Sequence, residues 1–420
     1  MKDAPGLRAN ADGVRQRLLE RLALALRIAE RTIRFLGAEG FSGAELPEGN
    51  FSAEKPIAEA AILLYVASRE RVEPGVREAF EGLVQDLIPR ARSKRMGWDI
   101  LRYPSVWLQL ATPHILLDKL GWKDSRFDYL LAATETTGAS RGHEVTPYRE
   151  LEVIWLRSLR RNEIPGRELE ETARKSALGN PIDLLNGTRD DAYAHTHAAM
   201  YYTGFGNWRR ELPRLAEFLG ESEAVLARAL MVEDYDLAAE ALMAWPLTRS
   251  AWSPAAAFGF RVLASLEDKV GFLPAGRSAS KRVMELAGEE KTRYALASSY
   301  HTAFVMGMLC ALALKPGMGS PFEIAGPAFP AAVIEGLRAC IPRTGAHWEE
   351  VFQALRPEEK AALGGFLLDA AMIRSSRKGE FAQMASLLET AIQNGIADTT
   401  MCAQSAEFLS RMASFGGGSG

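Results

Sequence analysis

Apolar residues return every three or four positions along nearly the whole of this 420-residue chain, and period-two alternation is almost absent. Leu18, Leu22, Ala25, Leu26, Ala29 and Ile33 show the pattern in a stretch from about Ala11 to Leu36. Such stripes leave water by packing helix against helix, so the fold class expected is all-α. Helix borders carry matching signals. Ser52 precedes Glu54 and Pro56, Asp124 opens the run to Leu131, and Arg356-Pro357-Glu358-Glu359 begins a helix with an acidic first turn. Gly37, Gly121, Gly179, Gly220 and Gly395 stand where left-handed C-terminal caps are expected.

These signals predict a string of helical hairpins, among them 189–203, 207–219, 222–232, 235–244, 280–314 with a break near Gly288, and 357–374. Pro113 and Pro213 fall inside predicted helices, where each removes a backbone donor. Short connections make neighbours antiparallel, and an all-helical chain of this length closes most naturally into an α/α toroid, with an open α-superhelix as the alternative. Residues 1–415 read as a single all-α domain and 416–420, glycine-rich, as a linker-like tail. Two longer irregular stretches, 39–53 and 316–329, are expected beside the site, at the end of the barrel where the histidine-bearing helices end.

Charge excludes several classes of function. Fifty Lys and Arg against 53 Asp and Glu leave a net charge of -3 with no basic block, so neither a nucleic-acid nor a membrane-surface partner is expected. Cys310, Cys340 and Cys402 are too few and too far apart for a disulfide framework, and a reducing, cytoplasmic setting fits them. The N-terminal stretch lacks the apolar core of a signal peptide. The longest apolar run, Tyr300 to Leu314, stops at Lys315-Pro316, short of the roughly 20 residues that span a bilayer, and reads as a buried helix.

The chemistry concentrates around the histidines. Wound as a helix, 189–203 brings Asp190, Tyr193, His197 and Tyr201 to one face, with Asp191, His195 and Tyr202 about a third of a turn away. A face of acid, phenol and imidazole makes a poor apolar core, so these groups bond one another or line a cavity. Tyr294, Ser298 and His301 share a face of a second, otherwise apolar helix. His143 and Glu144 sit on a loop ahead of Pro147. Converging in space, His197 and His301 with His143 or Asp190 would form an open, nitrogen-rich site for zinc, iron or copper. Without metal, Tyr193 and Asp190 would tune His197 as an acid/base group.

Other features have simpler readings. His114 pairs with Asp118 one turn on, and His347 marks a helix start. Glu233-Asp234-Tyr235-Asp236 has the composition, though not the order, of the aspartate-rich motifs of toroidal isoprenoid cyclases. It reads more simply as an acidic cap before Leu237. Phosphate-binding loops and nucleophile elbows are missing.

The segment Tyr-x-His-Thr-His-x-x-x-Tyr-Tyr-Thr-x-Phe-Gly (193–206), with Tyr-His-Thr-x-Phe-Val-Met-Gly (300–307) and Glu-Asp-Tyr-Asp-Leu (233–237), resembles a bacterial family of helical proteins described as a domain of unknown function. The resemblance covers about residues 140–315. It implies no activity, but it does imply that the three segments belong together. Two functions follow as expectations. One is an enzyme whose central cavity holds His197, His301, Tyr193 and Asp190, with or without a transition metal, acting on a small organic or peptide substrate. The other is a non-catalytic helical interaction scaffold.

Overall fold

A computed structural model describes residues 5–37, 40–41, 53–142 and 144–417. Helix accounts for 73% of it, and no strand occurs among the described residues. In chain order the α-helices are α1 (Pro5–Phe35), α2 (Glu54–Ala67), α3 (Pro74–Ala91), α4 (Lys94–Arg102), α5 (Trp107–Lys119), α6 (Ser125–Glu135), α7 (Pro147–Arg161), α8 (Arg167–Lys175), α9 (Arg189–Tyr202), α10 (Leu215–Met231), α11 (Tyr235–Leu242), α12 (Ala244–Thr248), α13 (Pro254–Val270), α14 (Arg277–Glu285), α15 (Gly288–Ala313), α16 (Ala331–Ala339), α17 (His347–Ala354), α18 (Pro357–Ala361), α19 (Gly364–Lys378), α20 (Phe381–Gln393) and α21 (Thr400–Gly417).

Side-chain caps fix several starts. Ser93, Asp124, Asp234 and Ser253 each accept the amide of the residue three positions on. Thr188 and Asp191 form a reciprocal capping box at the head of α9, and each such cap is worth about 1 kcal/mol. Buried apolar side chains from Leu18 to Cys402 form one contiguous core. Among the described helices, α15 has the length and composition to cross a membrane, but 83% of that window is buried inside the fold.

Several borders differ from the sequence reading. The expected helices 207–219 and 222–232 are one helix, α10, and Gly220 lies inside it. Residues 207–214 are not helical. After α9, Gly204, Phe205 and Gly206 take φ of 53, 54 and 71°, a left-handed turn that redirects the chain before Pro213. The expected helix 357–374 divides into α18 and α19, while α4 and α12 appear as additional short helices. Ser52 lies outside the described residues, and Ala53 at the head of α2 makes no side-chain cap. His114 bonds not Asp118 but Asp128, with Nε2 2.9 Å from Oδ1, because α6 packs closer to the ring than the next turn of α5 does. At the C-terminus α21 includes Gly416 and Gly417, so the glycine tail begins inside a helix.

Most of 39–53 is outside the described residues. The segment 316–329 leads off the end of α15, and its residues are not among those lining the cavity around His197 and His301. Phe322 meets the edge of Phe260, and the Phe329 amide donates to the Ala361 carbonyl.

Four helices run in the same direction, α2 packed on α15 and α7 on α9, with α5 between α2 and α7 and α11 between α9 and α15. Glu59 of α2 lies level with His301 of α15, and Leu63 one turn on lies level with Gly307. Tyr148 of α7 packs on His197 of α9, and Trp155, two turns on, packs on Tyr201 and Phe205. Tyr65 ties α2 to α7 through the same Trp155 ring. Past the ends of α9 and α15, Lys315 donates to the Gly206 carbonyl. Residues one or two turns apart on α2, α7, α9 and α15 therefore form successive tiers around a shared space.

Candidate functional site

That space is a cavity of about 920 Å³. Asp190, Tyr193, His197 and Tyr201 all line it from α9, and Ser298 and His301 line it from α15. Tyr294 is not on its wall, and no residue of 316–329 reaches it. His143 lies outside the described residues. The other face of α9 has structural partners. Asp191 completes the capping box, Tyr202 donates to Glu170 at 2.6 Å, and His195 Nε2 meets the Ser222 hydroxyl at 2.9 Å.

Three carboxylates join the histidines. From α2, Glu59 Oε2 stands 3.0 Å from His301 Nδ1. Asp236 Oδ1 and Glu240 Oε1, one turn apart on α11, each stand 3.4 Å from His301 Nε2. Asp236, Glu240 and His301 offer donor atoms that all lie within 4.8 Å of one another. His197 stands next to this group. Its Nδ1 is 3.0 Å from the Tyr193 carbonyl and 3.4 Å from Glu240 Oε2.

Hydroxyl donors hold the carboxylates in place. Tyr193 donates to Asp236 Oδ2 at 2.7 Å and Thr302 to Oδ1 at 3.1 Å. Thr196 donates to Glu240 Oε2 at 2.7 Å. Arg189 forks onto Asp234 at 2.6 and 3.0 Å, covers the Tyr193 ring, and reaches Asp236 Oδ2 at 3.5 Å. Asp234 thus caps α11 as the sequence suggested, while Asp236 of the same motif turns into the cavity. A separate network of Arg149, Glu152 and Tyr201 closes the wall opposite, with both donors 3.0 Å from the Glu152 carboxylate.

The electrostatics follow from these neighbours. Burial opposes charge on the His301 ring, but Asp236, Glu59 and Glu240 outweigh it and raise its pKa well above the ordinary imidazole value. Burial alone would raise Glu240, yet His197, His301 and the Thr196 hydroxyl hold it below its usual value. Burial, then the charge of Asp236, pushes the Tyr193 phenol far up, so it stays protonated and donates. The space beside His301 Nε2 is thus a point of strongly negative potential that calls for positive charge.

The spacing suits a cation as well as a proton. Charge-assisted N–H···O bonds are about 2.7–2.9 Å long, shorter than the 3.4 Å separations at Nε2. Ligand atoms about 2.1 Å from one ion at tetrahedral angles lie roughly 3.4 Å apart. Glu59 on Nδ1 would fix the tautomer that presents the Nε2 lone pair, as an outer carboxylate does in many metal centres.

Sequence reasoning did not find Glu59, Asp236 or Glu240 as site residues. A signal existed for two of them. Glu59 and Glu240 are lone acids in apolar, alanine-rich turns, where an unpaired carboxylate is costly.

Fold and site together define an all-helical protein with a carboxylate- and histidine-lined internal cavity. A family model described as a domain of unknown function (DUF6895) matches residues 22–311, and the chain belongs to that family. The match begins well before residue 140 and takes in every residue lining the cavity. No match is found among curated proteins or solved structures.

Proposed function

We propose that this protein is a metal-dependent enzyme in which Asp236, Glu240 and His301 hold one divalent transition-metal ion. The observation that carries the reading is the convergence of those donor atoms within 4.8 Å on the wall of a large cavity. Two oxygens and one nitrogen suit zinc or iron better than copper, which favours more nitrogen or sulfur. Such an ion, with positions left open, would act as a Lewis acid or lower the pKa of a bound hydroxyl.

The protein's own groups supply the rest. Tyr193 and Thr302 position Asp236, Thr196 positions Glu240, and Glu59 positions His301. His197, held through Nδ1 by the Tyr193 carbonyl, presents Nε2 as the proton acceptor. Asp190 sits at the polar mouth of the cavity, where it would meet an entering substrate. A small organic molecule suits the volume. The four helices running in one direction around the cavity support the α/α toroid, since inner helices of a toroid are parallel to one another. Three free thiols accord with a cytoplasmic setting.

The closed Arg149–Glu152–Tyr201 network favours a second reading, a helical scaffold whose polar groups only tie helices together. Elemental analysis of the purified protein separates the two. Near-stoichiometric zinc or iron, lost in Asp236→Asn and Glu240→Gln variants that still fold, supports the enzyme. Metal-free protein that binds none on reconstitution supports the scaffold.

A further inference from the structure

The cavity changes character with depth, and the change is the same on three of its walls. On α2 the lining runs from Glu54, Lys55 and Glu59 to Ile62; on α9 from Asp190, Tyr193 and His197 to Met200, with Phe205 in the turn just beyond it; on α15 from Ser298 and His301 to Val305 and Met308. These helices are parallel and in step, so the three gradients coincide in space. The cavity has a charged mouth, a middle tier that holds Glu59, Asp236, Glu240, His197 and His301, and an apolar floor.

The charge of the walls narrows the ligand further. Six carboxylates, Glu54, Glu59, Glu152, Asp190, Asp236 and Glu240, face three bases, Lys55, Arg149 and Arg189, among the lining residues. A divalent ion in the middle tier would offset only part of that excess. An anionic head is therefore disfavoured there.

We infer that the substrate is an uncharged amphipathic molecule, with a hydrocarbon body that fills the floor of Ile62, Met200, Phe205, Val305 and Met308 and a hydroxyl or carbonyl head at the middle tier. The inference deepens the metal-enzyme reading and rests on it for the role of the head, whereas the apolar floor stands on the lining residues alone. A head of this kind offers one oxygen to an ion beside His301 Nε2 and, as an alcohol, one proton to His197. The body removes its apolar surface from water, which gives length selectivity without any specific contact.

Isothermal calorimetry of the full chain with 1-alkanols from butanol to decanol, and with the alkanoates of the same lengths, tests this. Affinity should tighten about fourfold per methylene until the floor is full and then level off. Alkanoates should bind more weakly than alkanols of equal length. Met308→Trp should move the plateau to shorter chains and Met308→Ala to longer ones, with circular dichroism confirming that each variant folds. Affinity independent of length, tighter binding of alkanoates, or a plateau unmoved by both variants would overturn the inference. Metal content measured on the same samples keeps the readings apart: length dependence in protein that takes up no metal counts against the metal site alone, and a flat series in metal-loaded protein counts against the substrate class alone.

Discussion

Glu59 Oε2 lies 3.0 Å from His301 Nδ1, and this contact between α2 and α15 fixes which ring nitrogen faces Asp236 and Glu240. The Glu59 oxygen and the His301 nitrogen are both buried and neither makes a hydrogen bond of good geometry, so this ion contact is what compensates them. The pair sets how the middle tier of the cavity is built, because turning the ring would leave a carboxylate uncompensated on one side and two on the other.

Replacing Glu59 should therefore weaken metal binding without touching a ligand. Glu59→Leu should lower affinity about 10- to 100-fold, the usual effect of losing an outer-shell carboxylate. Glu59→Gln, which can still accept from Nδ1, should recover part of it. Competition against a chelating dye measures both, and affinities equal to wild type in both variants would remove Glu59 from the site.

His195 has a different role. It stacks on Phe218 with ring centroids 4.3 Å apart and bonds Ser222. Burial, aided by Arg214, takes its pKa down from 6.5 to about 3. The unfolded chain therefore binds a proton that the folded chain refuses between those two values. The neutral ring's contribution is complete above pH 6.5 and is lost as pH falls towards 3. In thermal melts from pH 7 to pH 4, wild type should lose more stability than His195→Phe, whose ring does not titrate. Parallel curves would contradict this. His195→Ala should cost about 1–3 kcal/mol at pH 7 by removing the ring that bonds Ser222 and stacks on Phe218, while the Ser222 hydroxyl keeps its own bond to the Phe218 carbonyl.

The left-handed turn after α9 makes a third test. Gly206 has φ of 71°, and a Cβ there would come within 2.2 Å of Lys315 Nζ. Gly206→Ala should destabilise by about 1–3 kcal/mol through the backbone alone. Adding Lys315→Ala removes the clash but not the strain, so chemical denaturation of the double variant should still show a loss. Wild-type stability in the single variant would show that the turn can relax.

Much of this architecture is written in the chain's local pattern. Period 3.6 and the caps at Asp124 and Asp234 mark helices because they are decided within a few residues. The face of α9 carrying Asp190, Tyr193, His197 and Tyr201 is legible for the same reason, and all four line the cavity. What local pattern misses is set by distant partners. Asp236 reads as part of a cap because Asp234 beside it is one, and only the approach of Tyr193 and Thr302 shows that it points inward. Glu59 lies 242 residues before His301, so nothing in its own helix announces the pairing. The three left-handed residues at 204–206 were not legible as a chain reversal because Phe205 gives no local sign of a positive φ.

The most direct measurement is a visible-absorption titration of the purified protein with cobalt(II), whose d–d bands report the number and kind of its ligands. The bands should saturate at one ion per chain, vanish in His301→Ala, and persist in His197→Ala, since His197 acts beside the ion and not on it. An absence of saturable bands in wild type, or bands of full intensity in His301→Ala, would contradict the assignment of Asp236, Glu240 and His301 as a metal centre.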